Sequence, residues 1–271
     1  MILKGPLAVI GGGRMGEAII GGLLAAGSFD RASIVVAEPD PVRRAALTES
    51  HGVRCVAEGR EAVAGAATVL LAVKPQILGS VVDALADAVP SDAVVVSIAA
   101  GISTTRIESM LAAGAAVVRV MPNTPALVRQ GMAVVSGGVA ATTEDVEAVR
   151  DLFGAVGQTI VIDECLQDAA TAISGSGPAY VAILVEELTR AGVAHGLSPE
   201  VAQGLAVQTL RGTAELLDRT GQHPADLVRA VSSPGGTTVA AIEQLESGGF
   251  RTSIGSAVAA AVTRAKELGS T

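Results

Sequence analysis

Seven short apolar runs constrain this chain more than any other feature of its 271 residues: Leu7–Ile10, Ser33–Ala37, Thr68–Val73, Ala93–Ile98, Val117–Val120, Met132–Val135 and Thr159–Ile162. A strand with apolar residues on both faces has to be covered on both faces. With helical patterns such as Gly16–Ala26 and Pro41–His51 between them, the runs predict a mostly parallel sheet in a doubly wound α/β domain. After about Asp163 strand-like runs stop. Helical segments follow at Leu166–Ser174, Pro178–His195, Pro199–Arg219, Pro224–Val231, Thr237–Ser247 and Ile254–Leu268, with Gly and Pro at their ends. This second half is rich in Ala and apolar enough to bury surface against a second subunit.

The first run leads directly into Gly11-Gly12-Gly13-Arg14-Met15-Gly16, which fits G-x-G-x-x-G between a strand and a helix, the context that gives the motif meaning. Gly11 permits the tight turn, Gly13 lets backbone approach a pyrophosphate, and Gly16 permits close helix packing. The bland alternative is a glycine turn without a ligand. Glu38 ends the second run, where a carboxylate accepts from an adenosine ribose hydroxyl and favours NAD over NADP. Arg43 and Arg44 follow. They are either 2′-phosphate ligands or part of a solvated helix face. These features define a Rossmann-like dinucleotide-binding domain over residues 1–163 and a helical domain over residues 164–271.

Ligands of an open α/β sheet sit beyond the carboxyl ends of its strands. Ala72-Val73-Lys74-Pro75 and Ile98-Ala99-Ala100-Gly101 punctuate two such ends, and Lys74 there is one of three lysines. Met121-Pro122-Asn123-Thr124-Pro125 is a rigid double-proline turn, in which Asn123 serves the turn rather than a ligand. Far from these, Ser232-Ser233-Pro234-Gly235-Gly236-Thr237-Thr238 runs into a helix. Bare backbone, hydroxyls and a helix N-terminus together suit an anionic small molecule. The plainer reading is a capped turn, with Ser or Thr as N-cap and Pro in the first turn.

Composition excludes several classes. A net charge of −8 and four aromatic residues argue against nucleic-acid binding. Cys55 and Cys165 lack paired spacing, and His51, His195 and His223 are scattered, so neither a disulfide framework nor a metal site is expected. Met1–Pro6 lacks a leader's apolar core, and no apolar segment approaches membrane-spanning length. An acidic cytoplasmic protein is expected.

In these residues the chain resembles the Δ1-pyrroline-5-carboxylate reductase family. The resemblance rests on Val9–Gly16, Ala72–Pro75, Ser97–Gly101, Arg119–Pro125, Ser174–Tyr180, Ser232–Thr238 and Leu245–Arg251, in family order over nearly the whole chain. It implies hydride transfer from NADPH or NADH to the C=N carbon of a cyclic imino acid, giving L-proline. It also implies a helical domain that interlocks with a second subunit, with the site at that junction, in a homodimer able to build a larger homo-oligomer. By analogy Ile10, Gly11, Gly12, Gly13, Arg14, Met15, Ala72, Val73, Lys74, Pro75, Ile98, Ala99 and Ala100 line the cofactor. Ser233, Gly236, Thr237 and Thr238 hold the substrate, Thr238 being the catalytic candidate through a hydrogen bond to the ring nitrogen.

Departures from the family keep the choice between NADPH and NADH open. Glu38 stands where many NADPH-using relatives carry Ser or Asn, Gly59 where an Asn often helps hold the ribose, and Ala230 where some relatives have a polar residue. Glu164 keeps an acid and is a candidate cofactor neighbour; its alternative is a solvated loop. Ser174–Tyr180 reads as architecture beside the site, with Tyr180 packed rather than catalytic. Two other functions compete. A hydroxyacid-type dehydrogenase would use a lysine on a helix of the second domain, but only Lys266 follows Asp163. A non-catalytic nucleotide-sensing module would be expected to have a degenerate Ser232–Thr238 loop, and this one is intact.

Overall fold

The computed structural model describes residues 5–269; Met1–Lys4, part of the stretch read above for a leader, and Ser270–Thr271 lie outside them. By compactness the chain forms two units, residues 5–176 with 261–269, and Gly177–Ala260. The division falls at Ser176/Gly177, and the last turns of the final helix group with the first unit.

The first unit is an eight-stranded sheet. Its strands are β1 (Leu7–Ile10), β2 (Ile34–Ala37), β3 (Arg54–Val56), β4 (Thr68–Leu71), β5 (Val94–Ser97), β6 (Ala116–Met121), β7 (Gly131–Gly137) and β8 (Gly157–Val161). Their order is β3-β2-β1-β4-β5-β6-β7-β8. All neighbours are parallel except β6 and β7, which run antiparallel. The helices are α1 (Arg14–Ala25), α2 (Pro41–His51), α3 (Gly59–Val63), α4 (Pro75–Leu85), α5 (Thr104–Glu108), α6 (Thr143–Phe153) and α7 (Gln167–Ala170).

Alternating side chains send each central strand into two cores. Leu7 and Val9 of β1, Leu70 of β4 and Val96 of β5 meet Ile19, Ile20 and Leu23 of α1 and Val149, Leu152 and Phe153 of α6. Ala8, Ile10, Val69, Leu71 and Val95 point the other way, against Leu78, Val82 and Leu85 of α4 and Ile107 of α5. Phe153 is fully buried, and truncating such a ring costs about 3–5 kcal/mol.

Two expectations need correction. The three-residue β3 has no apolar run to announce it; it exists through its pairing with β2. The last run is not buried on both faces: Ile160 and Val161 of β8 are about half exposed, because β8 is an edge strand paired only to β7.

The predicted helix at Leu166–Ser174 is broken into a 3-10 turn (Glu164–Leu166), α7, and a π-helical turn at Thr171–Gly175. The Asn123 side chain secures this segment, donating to Ser174 O at 3.0 Å while its Oδ1 accepts the Met132 amide at 2.9 Å. The Asn123 side chain thus ties the double-proline turn to the start of β7 and to the π segment.

The second unit contains α8 (Gly177–Ala194), α9 (Pro199–Thr220), α10 (Pro224–Ala230) and α11 (Thr237–Ser247), and α12 (Phe250–Gly269) begins in it. Its buried residues are Ala202 and Ala206. An apolar groove of about 630 Å³ is lined by α8, α11 and α12 residues including Tyr180, Leu184, Leu245, Phe250 and Ile254. Tyr180 is half-buried beside this groove.

Candidate active site

The carboxyl ends of β1, β4 and β5 lie side by side, Ile10 opposite Leu71 and Leu71 opposite Ser97. That register gathers the glycine turn, Ala72–Pro75 and Ile98–Ala100 at the carboxyl end of the sheet's central strands. The β1 end is the switch point, because the chain order reverses between β2 and β4 on either side of it. Backbone bonds continue the alignment past the strands, from Gly11 N–H to Ala37 O, Ala72 N–H to Ile10 O and Ile98 N–H to Leu71 O.

Inside the turn each glycine has its own reason. Gly11 has φ +104°, and a Cβ there would lie 2.7 Å from Ala72 O. A Cβ on Gly16 would lie 2.5 Å from Gly11 O. Gly13 is different: a Cβ there meets nothing within 4 Å. Gly13 is also the N-cap of α1, with no side chain capping the helix. The amides of Arg14, Met15 and Gly16 precede the first helical bond, Glu17 N–H to Gly13 O at 2.9 Å. Open space over free amides at a helix start fits a pyrophosphate.

Glu38 is already engaged. Its Oε2 accepts the Gly12 amide at 2.9 Å and its Oε1 the Asp40 amide at 3.1 Å. The arginines do not form a solvated face. Arg43 Nε donates to Gly12 O at 2.7 Å, and its Nη2 pairs with Glu17 Oε2 at 2.5 Å. Arg44 Nη1 donates to the carbonyls of Glu38 and Pro39. Burial would raise the Glu17 carboxyl, but hydrogen bonding and charge from Arg43, then His51, hold it below its ordinary value.

Of the other cofactor candidates, Lys74 is exposed at the N-cap of α4 and Pro75 opens that helix. Met15, Ala72 and Ile98 lean on the first core, Val73 on the second, and Ala99 is buried in the second. Ala99 therefore offers a ligand backbone rather than side chain.

Glu164 is not in a solvated loop. Its Oε1 accepts the Thr104 amide at 2.8 Å, its Oε2 accepts the Thr104 hydroxyl at 2.6 Å, and Arg119 Nη1 lies 3.3 Å from Oε1. Arg119 is a buried arginine in β6, opposite Ser97 on one side and Ser136 on the other. Its Nη2 stands 3.7 Å from Asp168, an ion pair without a hydrogen bond. Sequence reasoning missed Arg119 and Thr104 as partners. The signal for Arg119 was its position within an otherwise apolar run, since a buried cation is kept only where it is paired.

In the second unit, the Ser232–Thr238 loop leaves the start of α11 uncapped. The N-cap is Gly236, not a hydroxyl residue, and Pro234 precedes the helix. Gly235, at φ +70°, turns the chain so that the Gly236 amide bonds Ser233 O at 2.9 Å. The Ser232 hydroxyl is spent on Val228 O. The amides of Thr237, Thr238 and Val239 precede the first helical bond, Ala240 N–H to Gly236 O. Thr238 is half-buried and Thr237 exposed. Among the described residues no His, Cys, Asp and Glu group has the makings of a metal site.

A mostly parallel sheet with a glycine-lined, uncapped helix start at its switch point, joined to a helical unit, defines a dinucleotide-dependent oxidoreductase of two-part build. The family model for pyrroline-5-carboxylate reductase dimerisation matches residues 164–268, and one for NADP oxidoreductase, coenzyme F420-dependent, matches residues 6–101. The chain is 43% identical to a pyrroline-5-carboxylate reductase of Synechocystis sp., over 97% of this chain and 98% of that one. The structure of a pyrroline-5-carboxylate reductase from Coxiella burnetii superposes with a TM-score of 0.92 at 36% identity, covering 98% and 99% of the two chains. That of the Plasmodium falciparum pyrroline carboxylate reductase, with NADP bound, gives 0.89 at 31%, covering 99% and 100%. The chain belongs to the pyrroline-5-carboxylate reductase family. It is accordingly an NAD(P)-dependent oxidoreductase.

Proposed function

We propose that this chain reduces 1-pyrroline-5-carboxylate to L-proline, the last step of proline synthesis, using NADPH or NADH. The observation that carries the reading is the presence of two uncapped helix starts in one chain: α1 behind Gly13, and α11 behind Gly236. One suits a pyrophosphate, the other a carboxylate.

A bound reduced nicotinamide supplies the hydride. The chain's residues do the rest. Gly11–Gly16 would hold the diphosphate on backbone amides, and Glu38, at the end of β2, would read the adenosine ribose. Ala72–Pro75 and Ile98–Ala100 border the same strand ends. Ser233, Gly236, Thr237 and Thr238 hold the imino acid through its carboxylate, and the Thr238 hydroxyl accepts from the protonated ring nitrogen. When hydride reaches carbon, the C=N electron pair moves to nitrogen. An imine bound already protonated needs no general acid, in keeping with the absence of His and Lys from the loop. Orienting the two reactants is worth up to about 7–11 kcal/mol. Glu164 would act on the cofactor side through Thr104; its hold on the Thr104 amide and hydroxyl, three residues past Gly101, supports that role.

A helical unit that buries little more than Ala202 and Ala206, and exposes Val181, Ile183, Leu245, Phe250 and Ile254, is read as one half of a homodimer, which can build a larger homo-oligomer. Among the described residues no helix is long and apolar enough to cross a membrane, and the cytoplasm is the proposed location. A steady-state assay with pyrroline-5-carboxylate and each reduced cofactor tests the activity. Cofactor oxidation with proline formation is expected; no oxidation with either cofactor overturns it. Sedimentation analysis tests the assembly.

A further inference from the structure

Both backbone polar groups of Gly12 are held by side chains from beyond β2, and the two holders differ in charge. Glu38 takes the amide and Arg43 the carbonyl. Arg43 is in turn gripped by Glu17 of α1, whose other oxygen faces His51 Nε2 at 3.4 Å. Arg44 is turned onto the carbonyls of Glu38 and Pro39. The Asp40 carboxylate caps α2 through the Val42 amide. Three carboxylates thus stand with two guanidinium groups around the glycine turn and the end of β2. A dinucleotide's adenosine ribose passes this place, and an arginine here accommodates a 2′-phosphate.

We propose that Glu17 is a specificity-determining residue for the cofactor. It acts as a positioning residue through Arg43. By neutralising that guanidinium and pinning it to Gly12, Glu17 withholds it from the 2′ position and tilts the chain toward the dinucleotide with a free 2′-hydroxyl. The inference rests on the reductase reading above only in needing a dinucleotide on the glycine turn. Glu38 excludes a 2′-phosphate directly, from the end of β2. Glu17 does so from the first turn of α1, by removing the cation that would offset Glu38.

The test is direct binding, independent of turnover. The chain has no tryptophan, so the fluorescence of NADH and NADPH can be titrated without interference from indole. Glu17→Gln is expected to lower the NADPH:NADH ratio of Kd about fivefold, the scale of one partly exposed ion pair. Glu17→Asp, which keeps the charge, should recover most of the original ratio. In an Arg43→Gln background Glu17→Gln should leave the ratio unmoved, because the cycle removes the residue through which it acts. An unchanged ratio in Glu17→Gln, equal weakening of both dinucleotides, or a shift that persists without Arg43 each overturns the inference. Failure of the unaltered chain to bind either dinucleotide overturns the reductase reading as well, so the two failures are told apart.

Discussion

The Glu38 carboxylate lies on the Gly12 amide at 2.9 Å, so the residue expected to read the ribose also fixes the glycine turn proposed for the pyrophosphate. Replacing it by Ser therefore has two effects. Glu38→Ser should shift the kcat/KM preference toward NADPH by about tenfold, by removing a like charge from the 2′ site, and should weaken both cofactors slightly as Gly12 loosens. Kinetics with NADH and NADPH in parallel check this; an unmoved ratio removes Glu38 from ribose reading.

Gly13 separates binding from folding. Its backbone, φ −66° and ψ 180°, suits any residue, and a Cβ there meets no protein atom. Gly13→Ala should leave the melting temperature unchanged or slightly raised, while weakening dinucleotide binding at least about tenfold, since the methyl occupies space a pyrophosphate needs. Gly16→Ala, by contrast, drives a methyl to 2.5 Å from Gly11 O and should destabilise the fold itself. Calorimetry of melting and of binding separates the two cases.

Thr238 is expected to matter for turnover alone. Thr238→Ala should lower kcat/KM for the imino acid at least about tenfold, an interaction lost at the reacting centre, with cofactor affinity nearly unchanged. Unaltered kinetics would take Thr238 out of the mechanism.

Arg119 is the cation between Glu164 and Asp168, its side chain 6% exposed. Arg119→Ala should cost about 3 kcal/mol in urea unfolding, because it leaves two partly buried carboxylates without their counter-charge. A loss below about 1 kcal/mol would show that water, not Arg119, balances them.

Glu17 gives the acid limb of stability a definite sign. Its carboxyl sits below its ordinary value of about 4.5 in the folded chain. The stability it contributes is present above that value and is lost as pH falls through the lowered one. Glu17→Gln should therefore be less stable than the unaltered chain at neutral pH, and the two should converge in acid. Unfolding midpoints measured across that range check it, and a gap that persists at the acid end would assign the difference to packing instead.

Periodicity made most of this legible. The central strands and their flanking helices follow from apolar alternation and capping, because those forces are local. The two-core burial of β1, β4 and β5 follows for the same reason. What stayed hidden is long-range or exists by pairing alone. β3 is a strand because β2 lies beside it, and Arg54-Cys55-Val56 carries no signature of its own. Glu164 was legible as an acid near a junction, but its grip on Thr104, sixty positions away in the chain, was not. At α11 a hydroxyl cap was the natural expectation. The left-handed Gly235 redirects the chain so that Gly236 takes the cap position and the amides stay free.

The two small alanines that make up the buried interior of the second unit set how this chain gains its stability. Ala202 and Ala206 bury far too little apolar area to offset the entropy of ordering four or five helices. The exposed apolar side chains of this unit, among them Val181, Ile183, Leu245 and Ile254, are available to a second copy in the homodimer. Folding of the helical half and encounter between chains are then one reaction, and resistance to heat becomes a function of how much protein is present. In dilute solution the sheet half would outlast the helical half.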